Sequence, residues 1–173
     1  MSKLTESLKY VTLLCQINRN RINYIKAVLA YRFTKHPKTM IFPEMVIKLY
    51  DVKLISRANT QDSAFLSLLY ERELTKYLLN VKPNIFVDVG SHIGRFSVLM
   101  AKRGSKVTSI EPSLDNYKQL KKNVLLNHLY NVEMFHVACS NKDEQGKLLI
   151  AGGILDKILS KKQGATKIQK KFN

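Results

Sequence analysis

The stretch "NIFVDVGSHIGRFSVLMAKRG", residues 84–104, decides the fold. Its apolar run "IFVDV" (85–89) reads as a buried strand and residues 94–103 as a helix, with Gly90 and Gly94 bracketing "SHI" between them. Glycine at both places permits positive φ and close approach of backbone to a ligand, and a side chain at either would crowd the site. The spacing separates one ligand class from another. A dinucleotide fingerprint beginning at Gly90 requires glycine at 92 and 95, where this chain has His92 and Arg95, so NAD is disfavoured. No G-x-x-x-x-G-K-[ST] phosphate loop is present, which leaves a nucleoside without a pyrophosphate.

Downstream, "KVTSIE" (106–111) reads as a second strand, 113–127 as a helix and "NVEMFHVAC" (131–139) as a third strand. Ser113, after Pro112, is the expected side-chain cap of that helix, and Tyr117, Leu120 and Val124 form its inward stripe. Such alternation predicts a parallel sheet with helical crossovers, and the absence of clean period-two patterning predicts cover on both faces. Ligands of such sheets bind beyond the carboxyl ends of the strands, here Asp88 to Gly90, Glu111, and Ala138 to Asn141. Glu111 follows Gly90 by 21 positions, where one carboxylate can accept both hydroxyls of a ribose. Each charge-assisted bond of that kind contributes about 1.5–3 kcal/mol. A capping or surface role beside Ser113 is the plainer alternative for the same acid.

Upstream, "MIFPEMVIKLYDVKLIS" (40–56) predicts one or two short strands broken near Pro43 and Asp51. Asp62 and Ser63 are candidate caps for a helix from Ala64 to Leu79, and Pro83 closes that section. Near the start, Leu4, Leu8, Val11, Cys15, Ile22, Ile25 and Leu29 recur at helical spacing among basic residues. This predicts an amphipathic helix packed on the domain or a second subunit, with peripheral membrane contact as the alternative. The expected organisation is a basic helical extension (1–38), lead-in strands and helix (39–83), a ligand-binding core (84–156) and a Lys-rich tail (157–173).

A chain of 173 residues, 45% of them apolar, can bury one core. Its net charge of +16 is unevenly placed: eleven basic residues against three acids over 1–57, twelve against ten over 58–156, and six against none over 157–173. The excess therefore sits on the flanks, which suits a solvated surface or a partner contact and leaves nucleic acid as a less favoured partner. Cys15 and Cys139 stand apart without a C-x-x-C, so neither a zinc site nor a disulfide framework is expected, and a reducing cytoplasm fits. No apolar run reaches the roughly 18 residues of a membrane span.

The residues "FVDVGSHIGRFSVLMAKRGSKVTSIEPSLDNYKQLKKNVLLNHLYNVEMFHVACSNKDEQGKL" resemble the S-adenosylmethionine-binding half of the FkbM family of methyltransferases. "DVGSHIG", "IEP" and "NVLLN" at these separations carry the resemblance from 85 to 148, and it continues more weakly upstream through "VIKLYDVKLISRANTQDSAFLSLLYERELTKYL". It implies an α/β, Rossmann-like methyltransferase fold, a parallel sheet with flanking helices, and S-adenosyl-L-methionine as cofactor. In that reading the turn of Asp88, Gly90, Ser91, His92 and Gly94 holds the methionine end, Glu111 the ribose, and Ser140 and Asn141 lie by the adenine. The family commonly has Asn at the place of His92, so a loop role is expected for this histidine.

The implied reaction is methylation of a hydroxyl on a sugar, glycan or small metabolite. Family members continue through further strands to an Asp-x-Glu-Gly-like segment, and nothing after Cys139 matches it, which implies a fold incomplete at the C-terminus. Two alternatives stand beside this reading: a nucleic-acid methyltransferase or RNA-binding module using the basic flanks, and a shortened, non-catalytic remnant. No catalytic residue is assigned. His36, His128 and His136 are candidate bases for which surface or core roles serve equally, and Asn123 and Asn127 match the family pattern while a helix-end role explains them as well.

Overall fold

The computed structural model describes residues 44–68, 70–141, 147–149, 157–159 and 166–167, so the expected helical extension, His36 and Pro43 lie outside the described residues. The chain divides into two compact units between Glu73 and Leu74.

In the first unit, β1 (Met45–Leu49) and β2 (Val52–Ser56) form an antiparallel hairpin in which Met45 faces Ser56 and Leu49 faces Val52. Side chains alternate as a half-buried hairpin requires: Met45, Ile47, Leu49, Val52 and Leu54 are buried, while Val46, Lys48 and Lys53 are exposed. The expected break at Asp51 is its two-residue loop, which turns through Tyr50 at φ 54°.

The single helix expected from Ala64 to Leu79 is two. Helix α1 (Asp62–Phe65) is one turn long and α2 covers Arg72–Val81. Ser67 gives the reason: its hydroxyl and its carbonyl both accept the Tyr70 N–H, at 3.2 and 3.3 Å, closing a turn in place of helical bonding, and Glu71 then adopts φ 45°. Asp62 is not the cap either. Gln61 occupies that position without a side-chain bond, and the Asp62 carboxylate instead grips Arg57, accepting from its backbone N–H (3.0 Å), Nε (2.7 Å) and Nη2 (2.9 Å).

The second unit is built on β3 (Ile85–Val89), β4 (Lys106–Ile110) and β5 (Val132–Phe135), a parallel sheet in that order joined by α3 (Arg95–Lys102) and α4 (Leu114–Leu126). Register pairs Asp88 with Ser109 and Ile110 with Phe135, which aligns the carboxyl ends of all three strands. This strand–helix alternation is a Rossmann-like α/β arrangement. Leu78, Met100, Ala101 and Val107 form a core cluster against which Phe86, Phe96, Leu129 and Val132 pack.

Among the described residues, one face of β3 is packed and the other is exposed. Phe86 turns toward the core, whereas its neighbours Ile85, Val87 and Val89 on the opposite face are 69, 55 and 60% exposed. The run "IFVDV" is apolar on both faces although the cover described lies on one. The third strand ends at Phe135 rather than 139, and the Lys-rich tail carries strand: β6 (Lys147–Leu149) pairs antiparallel with β7 (Lys157–Leu159) and β8 (Thr166–Lys167). Among the described residues no helix is long and apolar enough to cross a membrane.

Candidate functional site

The turn after β3 is fastened to the neighbouring strand before it reaches the helix. The N–H groups of Gly90 and Ser91 both donate to the Ile110 carbonyl, at 2.8 and 3.1 Å, and the Ser91 hydroxyl approaches the same oxygen at 3.5 Å. Ser91 is thereby buried. The Gly94 N–H then donates to the Ser91 carbonyl (2.8 Å), closing a four-residue turn that passes through His92 at φ 53°, and Gly94 begins α3 from the left-handed region.

The two glycines differ in what surrounds them. A Cβ built on Gly90, at φ +78°, meets nothing within 4 Å. One built on Gly94, at φ +85°, collides with Leu120 of α4 and touches Val98 Cγ2 at 3.6 Å. Gly90 therefore borders open space, whereas the space a side chain at Gly94 would take is filled by Leu120 of α4, so Gly94 serves helix packing.

Glu111, directly after β4, reaches back to this turn. Its Oε2 accepts the His92 N–H at 2.7 Å and its Oε1 accepts the Ser113 N–H at 2.8 Å, with the residue 5% exposed. Ser113 occupies the N-cap of α4 with no side-chain capping bond; the Glu111 carboxylate takes the cap's own amide, and the Ser113 carbonyl accepts from Tyr117 N–H (2.8 Å). Glu111 thus has the helix-end role expected of an acid beside Ser113, and the same carboxylate also ties the glycine turn to the start of α4.

Asp88 is held by a hydroxyl relay. Ser109 Oγ donates to Ser97 Oγ (2.7 Å), which donates to Asp88 Oδ2 (2.5 Å), so α3 and β4 both fix the carboxylate. Behind the turn, Asn123 Nδ2 donates to the Ile93 carbonyl at 2.7 Å. Sequence reasoning left Asn123 between a family pattern and a helix-end role. Asn127 fills that role, as the C-cap residue whose Nδ2 donates to the Asn123 carbonyl (2.7 Å). The overlooked signal was a polar side chain three residues after Leu120, on the inward stripe of α4.

At the end of β5, His136 Nε2 lies 3.0 Å from the Pro112 carbonyl and the ring stacks on Tyr117. A carbonyl only accepts, so Nε2 carries the proton in this arrangement. His128 is exposed. Ser140 and Asn141 are also exposed, five and six residues past the end of β5. Among the described residues no group of three or more His, Cys, Asp or Glu is placed to hold a metal ion.

No family model matches the chain, and no curated protein matches it. Solved structures do. The chain is similar to a SAM-dependent methyltransferase from Agrobacterium tumefaciens at 19% identity, over 55% of this chain and 32% of that one, with a TM-score of 0.46. Against the Pyrococcus abyssi tRNA (uracil-54, C5)-methyltransferase in complex with S-adenosyl-L-homocysteine the values are 22% identity, 58% and 25% coverage and 0.47. Against M. jannaschii TYW2 in complex with AdoMet they are 25%, 60% and 47%, and 0.46. The chain spans less than half the length of each of these structures.

Proposed function

We propose that the chain binds S-adenosylmethionine at the Gly90 turn and is a methyltransferase of the FkbM type, acting on a hydroxyl of a sugar, glycan or small metabolite. One observation carries the reading: the Glu111 carboxylate bonds the His92 N–H at 2.7 Å, so the acid at one strand end lies against the glycine turn at its neighbour, as a shared cofactor site requires. Two further features suit the cofactor. The space beside Gly90 is what a Cβ would fill, and Asp88 and Glu111 place two carboxylates at adjoining strand ends of a chain whose net charge is +16.

When bound, the cofactor supplies a methyl group already activated on a cationic sulfonium. Asp88 would hold the cationic methionine end, kept in place by Ser97 and Ser109. Glu111 would hold the ribose hydroxyls, its carboxylate offering acceptor oxygens beside the turn it already bonds. Ser140 and Asn141 are proposed for the adenine end. Beyond binding, methyl transfer asks chiefly for alignment of acceptor and methyl carbon.

Calorimetric titration of S-adenosylmethionine and S-adenosylhomocysteine into the purified chain tests this. Wild type binds both, and Glu111→Ala weakens binding tenfold or more, or at least about 1.4 kcal/mol. Glu111→Gln, which keeps one acceptor oxygen for the turn, falls between. Equal affinity in wild type and Glu111→Ala removes Glu111 from the site, and a wild-type chain that binds neither ligand overturns the cofactor reading.

A further inference from the structure

The turn of residues 91–94 stands in a conformation its sequence does not favour. His92 sits at φ 53°, in the left-handed region, and such residues persist where their surroundings over-determine them, often at ligand clamps. Two groups do so here, one on each side. Glu111 takes the N–H of His92 at 2.7 Å, and Asn123 Nδ2 donates to the carbonyl of the next residue, Ile93, at 2.7 Å.

Asn123 is fully buried, at 0% exposure, and reaches the turn from α4, thirty residues along the chain. The helix holds this side chain in turn. Gln119 Nε2 approaches Asn123 Oδ1 at 3.4 Å, one helical turn earlier on the same face. Leu120, also at 0%, packs where a side chain at Gly94 would stand. The face of α4 presented to the turn thus combines Leu120 packing with the Asn123 donor aimed at the Ile93 carbonyl.

We infer that Asn123 is a positioning residue for the cofactor turn: its carboxamide fixes the Ile93 peptide and, with Glu111, holds His92 in the left-handed conformation that aims the turn at the ligand. This rests on the cofactor reading above. Asn131 offers an internal control, since its Nδ2 also donates to backbone carbonyls, Ala101 at 2.8 Å and Ser105 at 2.7 Å, but at the amino end of the strands.

The test compares wild type with Asn123→Ala, Asn123→Leu and Asn131→Ala by S-adenosylhomocysteine titration and by amide hydrogen exchange without ligand. Asn123→Leu keeps the branched shape and the number of side-chain heavy atoms, so the lost donor is read apart from a cavity. The expected result is a Kd raised tenfold or more in both Asn123 variants, with exchange at His92 and Gly94 faster by a similar factor. Asn131→Ala loses thermal stability and leaves both readouts within twofold of wild type. Wild-type affinity and exchange in the Asn123 variants would overturn the inference, as would the same changes in Asn131→Ala. A wild-type chain that binds no S-adenosylhomocysteine refutes the cofactor reading; faster exchange in the Asn123 variants then still upholds Asn123 as the residue that sets the turn, and unchanged exchange refutes it.

Discussion

Replacing each glycine of the turn by alanine, alone and combined with Leu120→Ala, separates space kept for a ligand from space used in packing. Both glycines have positive φ, +78° and +85°, so each alanine carries the left-handed cost of about 1–2 kcal/mol. At Gly90 that is the whole expected effect on stability, because the added methyl meets nothing within 4 Å. At Gly94 the methyl runs into Leu120, whose side chain is fully buried and has no solvent into which to withdraw. Overpacking of this kind costs about 1–3 kcal/mol, which brings Gly94→Ala to roughly 2–5 kcal/mol.

Leu120→Ala alone should cost about 2–5 kcal/mol through lost burial and a cavity. In the Gly94→Ala, Leu120→Ala double variant the collision is gone and the backbone cost remains, so the double loss falls short of the sum by about 1–3 kcal/mol. Urea denaturation with matched slopes measures each corner of this cycle. Additivity within about 0.5 kcal/mol would refute the packing role of Gly94. Binding supplies the other half. Gly90→Ala should remain folded and lose at least tenfold in affinity for S-adenosylhomocysteine, and wild-type affinity in that variant would mean the ligand does not use the space beside Gly90.

Two further predictions concern the first unit. Asp62 is 1% exposed and accepts three bonds from Arg57, itself 22% exposed. Breaking a buried pair costs about 3–5 kcal/mol, so Asp62→Ala should sit near the lower end, about 3 kcal/mol, as a lowered urea midpoint; a loss below about 1 kcal/mol would show that Arg57 finds water easily. In the hairpin loop, Tyr50 holds φ 54°, a conformation asparagine tolerates better. Tyr50→Asn should stabilise by up to about 1 kcal/mol, read as a rise in Tm of roughly 2–4 °C, and a fall would mean that the half-exposed ring makes contacts worth more than the backbone relief.

What could be read in advance and what could not divide along a physical line. The strand, turn and helix of 85–102 were legible because local signals agree: an apolar run, two glycines at positive φ and an apolar helix face. The placement of Glu111 followed from strand ends lying side by side in a parallel sheet, and its bond to His92 is of that origin. The helix expected over 64–79 failed because periodicity does not register a serine hydroxyl competing for a backbone N–H, as Ser67 does for Tyr70. The exposure of Ile85, Val87 and Val89 was hidden for a different reason, since "IFVDV" has the same letters whether or not its second face is covered.

Asn123 and Asn127 make the distinction sharpest, being the same residue four positions apart on one helix. Asn127 bonds a carbonyl one turn back, so local rules account for it. Asn123 bonds a carbonyl 30 residues away, and a backbone acceptor leaves no mark in the sequence, because every residue has one. A buried polar side chain on an inward helical stripe must nevertheless find a partner, since leaving it unmet costs about 1–3 kcal/mol. That requirement would have marked Asn123 as the end of a long-range contact before its partner was known, and the strained turn at His92 is where such a contact has the most to hold in place.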